Sequence, residues 1–375
     1  MANNFLRAVV LTFVFISALQ AQEPVRVGTI IHPSGPLAAS SQQSQNILKA
    51  YFDELNSKGG INGRKLELVV ASTDPADIQR VAGQGVIGFV GGAIAGHEKP
   101  ISDLMRTAQV PLIGPATLFP PVDEPLNPYG YYLMPGIKEQ ASALVNFAAA
   151  KPELKNAPAS VVYFDGELNA GGAAAAEQQA VRLGWKDVTK SVHRSGDFGA
   201  TALIEDLKRK RSQTVFFFGS VAQLSQIMQA AGAANITPTF LTIGATAGSD
   251  LAGIVTPAFK DKFFLSFPSV PGDVTAVDEF RTLRDKYKVP ATHAAIQVAT
   301  LAAAKVFVEA LTRAGANPTR VKLVAALDEL KDFETGYSPR VTFTKTRRVG
   351  ALGAYIISYD PSGKNFVPVG WISAD

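Results

Sequence analysis

The sequence predicts an α/β fold of two lobes, each a mostly parallel sheet flanked by helices. Three observations carry this. At 375 residues the chain exceeds what one ordinary core supports. Strand-like and helix-like segments alternate from residue 25 onward, the order that builds parallel sheets covered on both faces. The alternation runs in two series of similar kind, with no short solenoid-type repeat.

The first series opens with "VRVGTII", a β-branched run of a buried strand. A helix follows, with Ile47, Leu48, Tyr51, Phe52 and Leu55 at helical spacing, and stops at Gly59-Gly60. "KLELVVAS" and "VIGFVGG" read as strands, "PISDLMRTAQ" as a helix and "VPLIGP" as a fourth strand. The second series begins after "YYLMPGIKEQ". Its helices are "EQASALVNFAAAK", "GAAAAEQQAVRLG", "ATALIEDLKRK" and "AQLSQIMQAAGAA"; its strands are "ASVVYF", "DVTKSVH", "TVFFFG" and "TFLTIG". Three further helices span "AVDEFRTLRDKYK", "HAAIQVATLAAAKVFVEALTRAG" and "TRVKLVAALDEL". The chain closes with hairpin-like strands, "RVTFT" and "GAYIISYDPSGKNFVPVGWI".

The amino terminus carries Arg7, an apolar run from Ala8 to Leu19 and small residues suited to cleavage after Ala21. That is the layout of a secretory signal peptide over 1–21, too short for the ~20 apolar residues of a spanning helix. No later apolar run reads as long enough to span a bilayer. There is no cysteine, hence no disulfide, thiolate metal site or lipidated cysteine. With 47% hydrophobic residues and a net charge of +4, the chain reads as globular and unsuited to nucleic acid. "KRKR" at 208–211 and Arg347-Arg348 read as solvated helix ends and turns.

The stretch "VRVGTIIHPSGPLA…AYFDELNSKGGINGRKLELVVAS" resembles the opening of periplasmic solute-binding proteins of the branched-chain amino-acid type. "PLIGPAT" is similar to that family's strand into a Pro-Ala-(Ala/Thr) loop. "VVYFDGELNAGGAAA", "DFGATALIEDLK" and "VFFFGSVAQLSQIMQAAGAA" resemble its second lobe. The resemblance covers residues 25–270 well and the rest loosely. It implies two lobes joined by three crossovers, with lobe 1 at 24–135 plus 273–334 and lobe 2 at 136–272 plus 335–375. It also implies hinge closure on a small molecule and delivery to an ABC permease in the inner membrane. The chain is expected to be a periplasmic monomer without cofactor, metal or nucleic-acid partner.

In amino-acid binders of that family, first-lobe hydroxyls and backbone N–H groups hold the ligand carboxylate, and a second-lobe acid and tyrosine hold the ammonium. A zwitterion taken from water needs both charges met. Carried over position by position, the candidate contacts are Ser40, Ala95, Gly96, Ala116, Thr117, Leu118, Asn169, Ser220 and Gly244. Several depart from the family pattern. The serine after "VGG" falls at Ala95 or Gly96. The loop threonine falls at Leu118, with Thr117 serving only if the loop shifts by one. The tyrosine falls at Asn169, a further aromatic at Ser220, and the acid at about Gly244, with no Asp or Glu within four residues. Asp165 and Glu167 are either replacement charges or solvated loop residues. His97 is either an anion donor or a surface residue; helix-start N–H groups at 96–99 are further donors. The helix between "ASTDPAD" and "VIGFVGG" is short, about two turns.

No G-x-S-x-G, H-E-x-x-H or Walker loop occurs, and the four histidines are scattered, so no catalytic residue is assigned. The expected ligand is neutral or a carboxylate with apolar bulk. The alternative is a sensor or partner protein that keeps the fold without transport.

Overall fold

The computed structural model describes residues 23–122, 124–196, 198–244, 254–269, 278–362 and 365–375. The expected leader lies outside them. The first sheet contains β1 (Val25–Ile31), β2 (Leu66–Ser72), β3 (Phe89–Val90), β4 (Leu112–Ile113) and β5 (Gly130–Tyr131), all parallel, in the order β2-β1-β3-β4-β5. The second contains β6 (Ala159–Phe164), β7 (Val188–His193), β8 (Thr214–Phe218), β9 (Thr239–Ile243) and β10 (Phe263–Phe267), followed by the hairpin β11 (Gly353–Asp360) and β12 (Asn365–Ser373). Its order is β12-β11-β10-β9-β8-β6-β7; β6 to β10 run parallel, and the hairpin joins antiparallel at one edge.

Each sheet has an apolar core on both faces, which is why its strands read as continuous apolar runs. In the first lobe, α1 (Ala38–Ser57), α8 (Asp278–Tyr287), α9 (Ala294–Ala314) and α10 (Arg320–Asp328) cover one face with Ile47, Phe52, Phe280, Leu301, Phe307 and Leu323. On the other, α2 (Pro75–Gly83) and α3 (Glu98–Ala108) contribute Ile78, Val81, Ile101 and Met105. In the second lobe, α4 (Ile137–Ala150) and α5 (Glu167–Arg182) bury Leu144, Phe147 and Ala176. Opposite them, α6 (Ala200–Arg209) and α7 (Val221–Ala233) bury Leu203, Leu207, Ile227 and Met228. The helix α2 is nine residues long, as short as its sequence suggests.

Three sequence expectations need correction. The segment "RVTFT" makes only isolated bridges, Phe333 with Val341 and Thr344 with Arg347. Tyr337, Val341 and Phe343 pack in the first lobe's core, so these residues lie with the first sheet rather than with the second, where 335–375 had been assigned. The chain enters the second sheet only at β11. Finally, α9 is 21 residues and apolar enough to cross a membrane by length and composition. Its residues Leu301 to Ala304, Val306 and Phe307 instead fill the first lobe's core.

β5 is a two-residue strand that periodicity does not flag. A buried ion pair supports it: Arg348 Nη1 donates to Asp328 Oδ1 at 2.7 Å, with the side chains 3% and 12% exposed. Tyr131 Oη donates to the same oxygen at 2.8 Å, and the Arg348 guanidinium lies 4.8 Å from the Tyr131 ring centre. Tyr132 N–H donates to the Arg348 carbonyl, and Gly350 N–H to the Tyr132 carbonyl. The first and third crossovers therefore run side by side where they leave the first lobe.

Candidate functional site

In open parallel sheets, ligands bind beyond the carboxyl ends of the strands, where strand order reverses. The order β2-β1-β3 puts that point between β1 and β3 in the first lobe; β8-β6-β7 puts it between β6 and β8 in the second. Ala95, Gly96, His97, Asp165 and Ser220 lie in the flanking loops, whereas Ala116 to Leu118 follow β4 and Gly244 follows β9.

In the first lobe, His32 follows β1 and the 91–97 turn follows β3. Gly91 and Gly92 have φ of +61° and +77°. A Cβ on Gly92 would strike the Ile30 carbonyl, so the "VGG" turn requires glycine here. The turn brings His97 to His32, ring centres 5.6 Å apart. His32 Nε2 is buried and has no hydrogen-bond partner among the described residues. Its pKa is lowered, first by burial and then by His97, against an opposing pull from Glu98. Glu98 opens α3, where a carboxylate is favoured by the helix dipole, and accepts the Thr117 hydroxyl at 2.7 Å. The Thr117 oxygen in turn accepts from Phe119 N–H at 2.9 Å.

In the second lobe, Asp165 follows β6. Its Oδ1 accepts from Ser195 N–H at 3.1 Å and Ser195 Oγ at 2.8 Å, and these bonds hold its pKa below the ordinary carboxylate value. Gln223 Nε2 donates to Ser195 Oγ at 3.1 Å, while its Oε1 accepts from Ser220 N–H at 2.8 Å. Ser220 Oγ accepts from Gln223 N–H, completing a capping box on α7. At the end of β9 stands Gly244, buried. A Cβ there would lie 2.5 Å from both Cε atoms of Phe267, which closes β10. An aromatic ring thus occupies the space a side chain at 244 would need.

A profile of periplasmic binding proteins matches residues 24–364. The chain belongs to this family. This periplasmic binding protein is 23% identical to a Leu/Ile/Val-binding protein of Escherichia coli K12 over 75% of the chain and 79% of that relative. It is 27% identical to a Leu/Ile/Val-binding protein of Rhizobium johnstonii, a match spanning 53% of the chain and 55% of that relative. Among solved structures, a branched-chain amino acid ABC transporter protein from Thermus thermophilus with bound valine superposes at TM-score 0.68, with 21% identity, over 94% of this chain and 97% of that one. A fatty acid ABC transporter substrate-binding protein from Thermomonospora curvata superposes at 0.64, with 18% identity, over 94% and 93%. These superpositions agree with the two-sheet α/β fold. The protein is a solute-binding protein by family.

Within this binding protein the nine candidate contacts fall into distinct local settings. Ser40 donates to the Leu37 carbonyl at 2.9 Å, so its proton is committed inside the first turn of α1. Ala95 is half-buried and Gly96 exposed at φ +82°, in the turn beside His97. Ala116 has both backbone groups engaged: its N–H donates to Gly92 and its carbonyl accepts from Ile94. It therefore offers no N–H donor, contrary to the expected role of that loop. The Thr117 proton goes to Glu98 rather than outward. The Leu118 carbonyl accepts from Ile137 N–H at 2.9 Å, and Phe119 packs on the second lobe's core. Asn169 lies half-buried in the first turn of α5, Ser220 caps α7, and Gly244 sits under Phe267.

Sequence reasoning passed over His32, Glu98 and Phe267. A histidine directly after the first strand was a usable signal for the first. Nothing local marks the other two, because Glu98 matters through Thr117 and Phe267 through Gly244. A cavity of about 770 Å³ lies at the amino ends of the first sheet and includes Arg26, Arg64 and Arg320. All three guanidiniums already donate to backbone carbonyls, and the switch points stand as the candidate site.

Proposed function

We propose that this protein captures a small solute with apolar bulk, neutral or a monocarboxylate, and presents it to an ABC importer of the branched-chain amino-acid class. The observation that carries the ligand class is the Phe267 ring over Gly244. An acid at that position is what an α-ammonium needs, and its place is taken by a ring that rewards apolar contact instead. Phe119 and Leu118, where a hydroxyl was expected, add to the apolar character. The fatty-acid-binding description of a fold neighbour is consistent with this choice.

The test is thermal shift and calorimetry on the mature chain with octanoate, phenylacetate, their primary amides, leucine and 4-methylpentanoate. Binding raises the melting temperature by mass action. Shifts with the acids or amides, and none with leucine, are expected. Leucine binding that is lost in 4-methylpentanoate overturns the reading and makes Asp165 the ammonium partner. Silence across the whole panel favours a sensor or partner protein on this fold. Export by a leader cleaved after Ala21 is checked by the intact mass of protein recovered from the periplasm.

A further inference from the structure

The pair His32–His97 is the one titratable cluster at the first-lobe switch point that the proposed function leaves unused. The imidazoles stand at 5.6 Å, one on the loop after β1 and the other at the head of α3. The His32 backbone is tied in place by its amide N–H, which donates to Ser41 Oγ at 3.2 Å. His32 Nε2 is buried without a partner among the described residues, and an unpaired buried polar atom is costly unless something compensates it. The charged groups facing His32 are His97 and Glu98. Glu98 is held by Thr117, and its charge also reaches Tyr132 beyond β5. Lys99 is turned along its helix to Asp103 at 2.7 Å and does not neutralise Glu98. No acidic residue stands in the first turn of α1.

The carboxylate already at this floor is that of Glu98. A second carboxylate brought to this floor would meet like charge. Two imidazoles beside it can reverse that by taking up a proton, since histidine changes charge near neutral pH.

We infer that the His32–His97 pair makes carboxylate capture proton-coupled: the anion binds in the first lobe together with a proton held by the pair. This rests on the reading of the ligand as an apolar monocarboxylate. The sign follows from linkage. An anion beside the pair stabilises the imidazolium, so the bound state holds more protons and affinity rises as pH falls.

The experiment is isothermal titration of octanoate and phenylacetate, with their primary amides, between pH 5.5 and 8, in buffers of different ionisation enthalpy. Acid affinity should rise toward low pH by up to about tenfold per unit for one proton taken up, with a buffer-dependent heat, while the amides stay flat. His97→Gln should flatten the acid profile. Glu98→Gln should raise acid affinity at pH 7.5, where the like charge opposes it most. Chemical-shift titration of the histidines in each variant confirms that the fold and the remaining imidazole are intact. Acid binding that is flat with pH and independent of buffer overturns the inference while leaving the proposed ligand class standing. Failure of every acid and amide at every pH overturns the ligand class, and the inference with it.

Discussion

At the first switch point, His32, His97, Glu98 and Thr117 form a titratable, hydrogen-bonding floor. At the second, the groups that matter are already occupied: Asp165 holds Ser195, Ser220 and Gln223 cap α7, and Phe267 covers Gly244. The two lobes are alike in having a core on each face, yet one end offers exchangeable protons and the other a ring beside a carboxylate whose Oδ1 is tied to Ser195. A fold of two similar halves therefore need not offer a solute the same chemistry twice. The proposed ligand, with one polar head and an apolar body, matches that asymmetry, and a zwitterion would draw on Asp165 as its charged partner.

The largest expected effect removes the support behind the first lobe. Asp328→Asn leaves Arg348 buried without its counter-charge, which should cost about 3–5 kcal/mol. Urea unfolding should show the first lobe melting earlier while the second lobe's signal holds. One unchanged transition would mean that the ion pair does not set the first lobe's stability.

The next sharpens the second switch point. Gly244→Ala puts a methyl against the Phe267 ring and should cost about 1–3 kcal/mol as overpacking. On a Phe267→Ala background the same change should cost almost nothing, and the double-mutant cycle reads the coupling directly. An additive result would show that the ring does not exclude side chains at 244. Thr117→Val comes third. It removes the hydroxyl between Glu98 and Phe119 N–H and should cost about 1 kcal/mol in thermal unfolding. It should also weaken octanoate binding, because the Phe119 loop loses its tether.

The smallest effect is on pH. Burial lowers the pKa of both His32 and His193 from the ordinary 6.5. A lowered imidazole value favours the neutral form in the folded protein, so this stabilisation is present above pH 6.5 and is lost as pH falls through the lowered values. The melting temperature of the free protein should decline below about pH 6.5, and His193→Gln should reduce the decline. Saturating octanoate should offset the His32 share, because the bound acid draws that imidazole toward its charged form. A ligand-independent slope would place the whole effect in the second lobe.

Much of the architecture was legible in the sequence. Parallel strands buried on both faces must be apolar throughout, and their helices must show one apolar stripe; both patterns are local. β3 and β4 were read as strands from their apolar runs although each pairs over only two residues, and β5 was missed, since two paired residues leave no periodicity to detect. The "RVTFT" segment shows the reverse error. Its alternation is real, but Val341 and Phe343 serve the first lobe's core rather than a ladder. At the candidate site, sequence matching did not single out His32, Glu98 or Phe267, whose neighbours come from distant segments. The donors of Ser40, Ala116 and Thr117, which sequence matching did name, are spent on neighbouring groups.

What the residues determined alone is the alternation and the two-lobed plan, since each follows from spacing along the chain; that position 244 lacks an expected acid came from the family resemblance. Tertiary structure alone decided what lies over Gly244 and which groups meet at the first switch point. β10 lies beside β9, so Phe267 reaches over Gly244; β3 lies beside β1, so His97 reaches His32. Strand order is set by chain crossings between distant segments, and no local pattern encodes which loop ends will meet.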